Sequence, residues 1–269
     1  MTDAVRIVIL GASGRMGREL ARLALDDERL SLVGAVADRG LGGTLGELHG
    51  LPGADVRVVE SLDAVESGFD VVVDFSAPAA TLAALPVCEA AGAALVTGTT
   101  GLDEAQQQTL VDVSARVAIC QAANFSIGVN VCLELLATAA RMLGPDYDAE
   151  VIEAHHRHKV DAPSGTALAL GQAVAAARGL ELPGDGVFAR HGQTGERPAG
   201  SIGFSTIRGG DIVGEHTVLF AGDGERVEIS HKASNRGNFA AGALQAARWL
   251  KGRGPGLYGM RDVLAGAGQ

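Results

Sequence analysis

A short run of branched aliphatic residues, 5–10, leads into Gly11-Ala-Ser-Gly-Arg-Met-Gly17, and a helical period begins before that turn is finished. Over residues 15–25, Met16, Leu20, Leu23 and Ala24 fall on one side, as a helix of 3.6 residues per turn requires. A second strand-like run, 32–37, ends at Asp38-Arg39. Few folds accept this order of strand, glycine turn, helix and strand. The first glycine permits a tight turn, the second lets another molecule approach the backbone, and the third lets helix and strand pack closely. The unit has the length of one half of a doubly wound, mononucleotide-binding sheet.

The N–H groups at the start of the helix lack intrahelical acceptors, and the helix dipole favours anions there, so the turn suits a pyrophosphate. The strict fingerprint is G-x-G-x-x-G. Here the spacing is G-x-x-G-x-x-G, with Ala12 and Ser13 between the first two glycines, and an ordinary turn between strand and helix is the competing reading. Asp38, at the end of the next strand and about 20 residues on, favours a dinucleotide. Asp38 suits the ribose hydroxyls and Arg39 suits a 2′-phosphate, so NAD and NADP both stay open. No Gly-Lys-Ser/Thr follows, which excludes a Walker-type loop.

Residues 70–75, 94–97 and 117–120 read as further buried strands. Ser76-Ala-Pro78 opens one intervening helix and a glutamine-rich segment, 103–115, makes another. Strands alternating with helices predict a parallel sheet of the α/β class. Apolar residues make up 47% of the chain but aromatics only 4%, which suits such a sheet with packed helices. Gly98-Thr99-Thr100-Gly101 and Ala122-Ala123-Asn124-Phe125 each follow a strand, where open α/β sheets bind ligands; plain turn chemistry is the alternative.

The pattern changes after Asn124. Residues 127–143 read as a long helix, apolar enough to be mostly buried, followed by a strand at 150–156 and a helix at 167–177. Beyond a Gly/Pro loop near 183–200 come three strand-like runs, 202–207, 215–220 and 226–230, and a last alanine-rich helix, 238–250. This grouping predicts an α+β domain with a mixed or antiparallel sheet.

The most informative chemistry lies in residues 153–167, Glu-Ala-His-His-Arg-His-Lys-Val-Asp-Ala-Pro-Ser-Gly-Thr-Ala. On a regular strand Glu153 and His155 share a face, while His156 shares the other with Ile152. Histidine is the natural acid and base near neutral pH, and a lysine ammonium both binds carboxylates and donates protons. Ser164-Gly165-Thr166 at a helix start supplies a cradle of hydroxyl and N–H groups for an anion. Together they suit a site that holds a carboxylated small molecule and protonates it. Two alternatives compete: a metal site built from His155, His156 and His158, which lacks supporting Cys or carboxylate spacing, and a solvated basic loop. His49, His191, His216 and His231 stand alone and read as structural or surface groups, Asp74 as a strand-end cap, and Trp249 as a core anchor in the last helix.

The net charge of −10 argues against a nucleic-acid binder. Cys88, Cys120 and Cys132 show no metal or disulfide spacing, and no secretory signal or membrane-spanning run is visible, which predicts a cytoplasmic protein with reduced thiols.

The chain resembles the 4-hydroxy-tetrahydrodipicolinate reductase (dihydrodipicolinate reductase) family over nearly its whole length. The resemblance rests on the segment 8–17, on Asp74-Phe75-Ser76, Gly98-Thr-Thr-Gly101 and the segment 122–130, on residues 153–167, and on Arg208-Gly-Gly-Asp-Ile-Val-Gly-Glu-His216. It implies a Rossmann-type cofactor domain, 1–126 with 237–269, and a substrate and oligomerisation domain, 127–236. It implies NADH- or NADPH-dependent reduction of an unsaturated cyclic dicarboxylate to tetrahydrodipicolinate in lysine and diaminopimelate biosynthesis, by a homotetramer; with His155 and His156 read as acid/base and ligand residues, no metal is expected. His155 is then the acid/base and Lys159 the proton donor, with His156, Gly165 and Thr166 on the substrate carboxylate. Gly11, Ala12, Ser13, Gly14, Arg15, Met16, Asp38, Arg39, Gly98, Thr99, Thr100, Ala122, Ala123, Asn124 and Phe125 line the cofactor. Another two-domain nicotinamide reductase or amino-acid dehydrogenase is the runner-up. A dinucleotide sensor would need the glycine turn but not the His/Lys block.

Overall fold

Short valine- and isoleucine-rich runs become strands, and the alanine- and leucine-rich segments between them become helices. The structure, a computed structural model, describes residues 4–235 and 237–266. In chain order the elements are β1 (Val5–Leu10), α1 (Arg15–Leu25), β2 (Leu30–Val36), α2 (Leu45–His49), β3 (Val58–Val59), β4 (Val71–Asp74), α3 (Pro78–Ala91), β5 (Ala94–Thr97), α4 (Glu104–Ser114) and β6 (Ala118–Gln121). They continue with α5 (Ile127–Leu143), β7 (Asp148–His155), α6 (Gly165–Arg178), β8 (Gly186–Val187), β9 (Ile202–Arg208), β10 (Gly214–Gly222), β11 (Glu225–Ala233), α7 (Gly237–Leu250), β12 (Gly256–Tyr258) and α8 (Met260–Gly266). The chain divides into two units, residues 1–127 with 236–269 and residues 128–235.

In the first unit seven strands form one sheet in the order β12-β6-β5-β4-β1-β2-β3, with every neighbouring pair parallel. Side chains alternate between two buried faces. Ile7, Ile9, Val73 and Val96 pack with Leu20 of α1 and Ala243 and Leu244 of α7, while Val8, Val72, Leu95 and Ile119 pack with Leu85 of α3 and Leu110 of α4. This double burial is why these strands are apolar throughout rather than alternating. Helix α4 starts on a capping box in which the Asp103 carboxylate accepts from Gln106 N–H and the Gln106 side chain accepts from Asp103 N–H. The chain order reverses between β1 and β4, and the Gly11 turn opens at that point, where such sheets bind ligands.

In the second unit five strands run in the order β11-β10-β7-β9-β8. β10 is antiparallel to both neighbours, whereas β7, β9 and β8 are mutually parallel, so the sheet is mixed. Helices α5 and α6 cover one face, where Leu136, Leu170 and Val174 meet Val151, Phe204, Val218 and Phe220. Ile152, Leu219 and Ile207 belong to the opposite face of the same strands, and Ile207 is 52% exposed.

Several expectations need correction. Helix α5 is not mostly buried: Val129, Cys132, Leu136 and Ala140 form a buried stripe, while Val131, Leu135 and Met142 are exposed. A helix lying on one sheet buries one stripe, whatever its mean hydropathy. β7 stops at His155, so His156 lies beyond the strand and does not share a face with Ile152. α6 begins at Gly165, two residues earlier than its apolar period suggests, because Ser164 caps it. Trp249 is half-buried between the Tyr258 ring and the Arg253 guanidinium rather than fully in the core, and α8, not the helix around it, is the last. The short elements α2, β3, β8 and β12 were too brief to show a period.

Candidate functional site

The glycine turn is shaped by two close approaches and a bare helix cap. Gly11 has φ +83°, and a Cβ there would lie 2.5 Å from the Phe75 carbonyl oxygen. A Cβ at Gly17 would lie 2.4 Å from the Ala12 carbonyl oxygen, which is the tight packing of helix on strand expected of the third glycine. Gly14 caps α1 with no side chain to occupy the N–H groups of the first turn. Arg15 is exposed and Met16 packs inward in that turn.

The end of β2 reaches this turn. Ser13 donates its hydroxyl to Asp38 at 2.8 Å, and Arg39 donates to the Ser13 carbonyl at 3.2 Å. The Ser13 hydrogen bond draws the Asp38 carboxyl below its ordinary range. On the other side of the turn, Asp74 at the end of β4 is buried and accepts from the hydroxyls of Ser76, Thr81, Thr97 and Thr99 at 2.5–3.0 Å. It is a cap that ties β4 to β5 and α3. Gly98 leaves room for the Phe75 ring, which a Cβ would meet at 2.3 Å, and Phe125 stands edge-on to Phe75 at 5.6 Å. Thr100 and Ala123 are exposed, Ala122 is half-buried, and Asn124 accepts from Ser126 N–H. A Cβ at Gly242 of α7 would lie 1.8 Å from the Phe125 carbonyl oxygen, so the helix from the far end of the chain is seated directly against this loop. Backbone at Gly11 and Gly17 that admits no Cβ, N–H groups at a helix start, and the Asp38 carboxylate with the Arg39 guanidinium beside it fit a dinucleotide.

In the second unit the site is built around Glu153, which is 1% exposed. Its Oε2 accepts from His155 Nδ1 at 2.6 Å and Arg208 Nη1 at 2.8 Å; its Oε1 accepts from Arg208 Nη2 at 2.8 Å and Ser164 N–H at 3.0 Å. Burial pushes this carboxyl up, but the hydrogen bonds from Arg208, His155 and Ser164 outweigh it and hold the pKa at about 2. Lys159 pairs with the Asp161 carboxylate at 2.9 Å, which lowers the Asp161 pKa. His156 and His158 lie past the strand with their rings 6.2 Å apart. Among the described residues no group of three or more His, Cys, Asp or Glu side chains is arranged to hold a metal ion.

Ser164 differs from expectation. Its N–H goes to Glu153, and its hydroxyl accepts from Ala167 N–H at 3.1 Å and meets His216 Nε2 at 3.0 Å. It is a cap within the protein, not an open hydroxyl, because its position before α6 gives it two inward partners. Gly165, by contrast, is exposed, with open space where a Cβ would be.

A parallel sheet in nucleotide-binding order, joined to a mixed sheet that carries a histidine–lysine cluster beside a helix start, defines a two-part pyridine-nucleotide oxidoreductase. The chain belongs to the dihydrodipicolinate reductase family, the NAD(P)H-dependent oxidoreductases of the reduction step in lysine and diaminopimelate biosynthesis. The family's N-terminal model matches residues 5–125 and its C-terminal model residues 128–264. Among solved structures, the dipicolinate-bound dihydrodipicolinate reductase from Paenisporosarcina sp. TG-14 is 26% identical, with 96% of this chain and 99% of that chain covered and a TM-score of 0.78. An amine dehydrogenase from Mycobacterium smegmatis (13% identity, 95% of each chain, TM-score 0.63) and an engineered D-amino acid dehydrogenase bound to NADP+ (15% identity, 96% and 93%, TM-score 0.55) share the fold.

Sequence reasoning missed three residues of the cluster. Glu153 was read only as a neighbour of His155, Arg208 only as part of a motif, and His216 as structural or surface. His216 is buried, its ring stands edge-on to His155 at 5.1 Å, and it faces Ser164. The one available signal was strand alternation, which puts 153, 155, 206, 208 and 216 on one face once the register of β7, β9 and β10 is known.

Burial, helped by the neighbouring His155 charge, pushes the His216 pKa down to about 4. Between pH 6.5 and 4 the unfolded chain therefore takes up a proton that the folded His216 refuses, so stability falls as the pH drops through this range. His231, lowered by its own burial, adds in the same direction. The stabilisation from Glu153 is present above its ordinary 4.5 and is lost as the pH falls towards 2. In urea unfolding the midpoint should decline from pH 7 to pH 5, and His216→Gln should flatten that decline; an equally steep decline in the variant refutes the contribution of His216.

Proposed function

We propose that this chain reduces the unsaturated cyclic dicarboxylate derived from 4-hydroxy-tetrahydrodipicolinate to tetrahydrodipicolinate, with NADH or NADPH as reductant. The observation that carries this reading is the Glu153 carboxylate, which joins a histidine at a strand end to the start of an anion-binding helix. Saturating a ring double bond takes a hydride and a proton. The reduced nicotinamide, when bound, supplies the hydride. The glycine turn Gly11 to Met16 receives the pyrophosphate, Asp38 and Arg39 the adenosine ribose, and the loops Gly98–Thr100 and 122–125 the remainder.

The substrate is a dianion before and after reduction, so its binding groups must be donors. Gly165 and Thr166 present backbone N–H groups at the start of α6, and His156 adds an imidazole beyond the end of β7. Ser164 holds that start in place from within. Lys159 and His155 carry the proton; the Asp161 carboxylate holds the Lys159 ammonium in position. The likeness to a reductase solved with dipicolinate supports a seat for two ring-flanking carboxylates. No helix among the described residues is long and apolar enough to cross a membrane, and the buried thiols of Cys88 and Cys120, pushed up to about 12 by burial, suit a reducing cytoplasm.

The direct test is NADH and NADPH oxidation with freshly generated lysine-pathway intermediate, with pyridine-2,6-dicarboxylate as competitor. Lys159→Ala should lower turnover by roughly 10²–10⁴-fold, the usual worth of general acid catalysis, while cofactor binding stays near normal. Near-wild-type turnover in a folded variant removes Lys159 from the proton step.

Cofactor choice should depend on Arg39. Its side chain lies beside Asp38 and donates to the Ser13 carbonyl, which supports a contact with the ribose end of the cofactor. Arg39→Ala should raise KM for NADPH more than for NADH; equal changes in both dismiss a contact with the 2′-phosphate.

We also infer a homotetramer joined through residues 127–236. The sheet face bearing Ile152, Ile207 and Leu219 supports this, since α5 and α6 cover only the other side. Sedimentation equilibrium should give four times the chain mass of 27.4 kDa, and Ile207→Glu should lower it; a monomeric wild type contradicts the assembly.

A further inference from the structure

Glu153 binds three segments that lie apart in sequence. Through His155 it holds the end of β7, through Arg208 the end of β9, and through the Ser164 N–H the residue before α6. A carboxylate is kept ionised away from water only when both oxygens are well bonded, and here each oxygen receives one arm of the Arg208 fork and one further N–H.

The consequence for the reaction appears at the far side of the imidazole. An ionised carboxylate only accepts, so the bond at Oε2 places the proton of the neutral His155 ring on Nδ1. Nε2 is left as the nitrogen that exchanges a proton. Gly214 of β10 leaves room for it: a Cβ there would lie 3.1 Å from Nε2. The same ion pair reaches the second proton carrier. Arg208 Nη2 also donates to the Asp161 carbonyl at 2.6 Å, and the Asp161 carboxylate holds Lys159 Nζ at 2.9 Å. His155 and Lys159 are thus anchored at the two ends of one chain of bonds, His155–Glu153–Arg208–Asp161–Lys159.

We propose that Glu153 and Arg208 are positioning residues for the reduction: Glu153 sets the tautomer of His155 and aims Nε2, and Arg208 ties that setting to the loop that carries Lys159. The assignment rests on the reading of His155 and Lys159 as proton carriers. It adds that neither reaches its geometry alone, and that the helix start which receives the substrate carboxylate is fixed by the same Glu153 carboxylate.

Glu153→Gln tests it, because the amide keeps the volume but turns one acceptor into a donor facing either His155 or the Ser164 N–H. In ¹⁵N-resolved NMR of the histidine side chains, wild-type His155 should show the Nδ1-protonated form when neutral, and the variant a mixture of both tautomers. Turnover should fall on the order of a hundredfold, the scale of a misdirected acid–base group, with KM for the cofactor unchanged and KM for the dicarboxylate altered much less than kcat. Arg208→Lys keeps the charge without the fork. It should retain the His155 tautomer yet lower kcat, since one ammonium cannot serve both Glu153 oxygens and the Asp161 carbonyl. It also serves as the test if Glu153→Gln does not fold. An unchanged tautomer in Glu153→Gln, or full turnover in either folded variant, overturns the proposal. His155→Gln is the reference: full activity there sinks the catalytic reading of His155, while the tautomer measurement still decides what Glu153 does to the ring.

Discussion

Removing a carboxylate from water costs several kcal/mol after relaxation, and the cost is recovered only if every lone pair of consequence is met. Glu153 meets this condition with an arginine fork, an imidazole and a backbone N–H. Well-packed apolar residues in place of the whole Glu153–Arg208 pair would serve the stability of the second unit about as well, whereas losing Glu153 alone would leave Arg208 unpaired. What apolar residues could not do is fix two side chains and a helix start relative to one another. The strand ends of β7 and β9, the start of α6 and the loop through Asp161 all meet at this ion pair, and the chemistry assigned to the unit lies within the same group of bonds.

The first unit solves the corresponding problem without an ion pair. Its ligand-facing edge is held by close backbone approach and by hydroxyls. Gly17 against Ala12 fixes α1 on β1, and Gly242 against Phe125 fixes α7 on the loop after β6. Asp74 is buried like Glu153 but takes its bonds from four hydroxyl side chains rather than a cation. Ser76, Thr81, Thr97 and Thr99 are distributed over β5, α3 and the loops beside them, so one acid organises the edge where β4 and β5 end. The nearby Cys88 thiol, pushed up to about 12 by burial and then by the Asp74 charge, stays protonated and inert. Both units thus rely on a buried acid at the carboxyl end of a strand, with donors chosen according to whether the surroundings carry a cation.

Legibility followed the length of each element and how many of its faces are buried. β1 and α1 were readable to the residue, because a parallel strand buried on both faces and an amphipathic helix leave clear periods with glycines at the junctions. The short elements α2, β3, β8 and β12 were not, since two to five residues cannot display a period. The long helix α5 was read as buried from its apolar content, and the structure leaves Val131, Leu135 and Met142 exposed, because packing on one sheet selects a stripe.

Local sequence by itself determined the glycine turn, the alternation that makes the first sheet parallel, and the presence of His155 and Lys159 next to a helix start. Each depends on residues within a few positions of one another, where backbone sterics and side-chain period act directly. Tertiary structure decided the partners. Arg208 meets Glu153 across 55 positions and His216 meets Ser164 across 52, and only the register of β7, β9 and β10 brings them together. Strand register is set by the burial of a whole face at once, so no local stretch of sequence specifies which distant side chain will answer a buried charge.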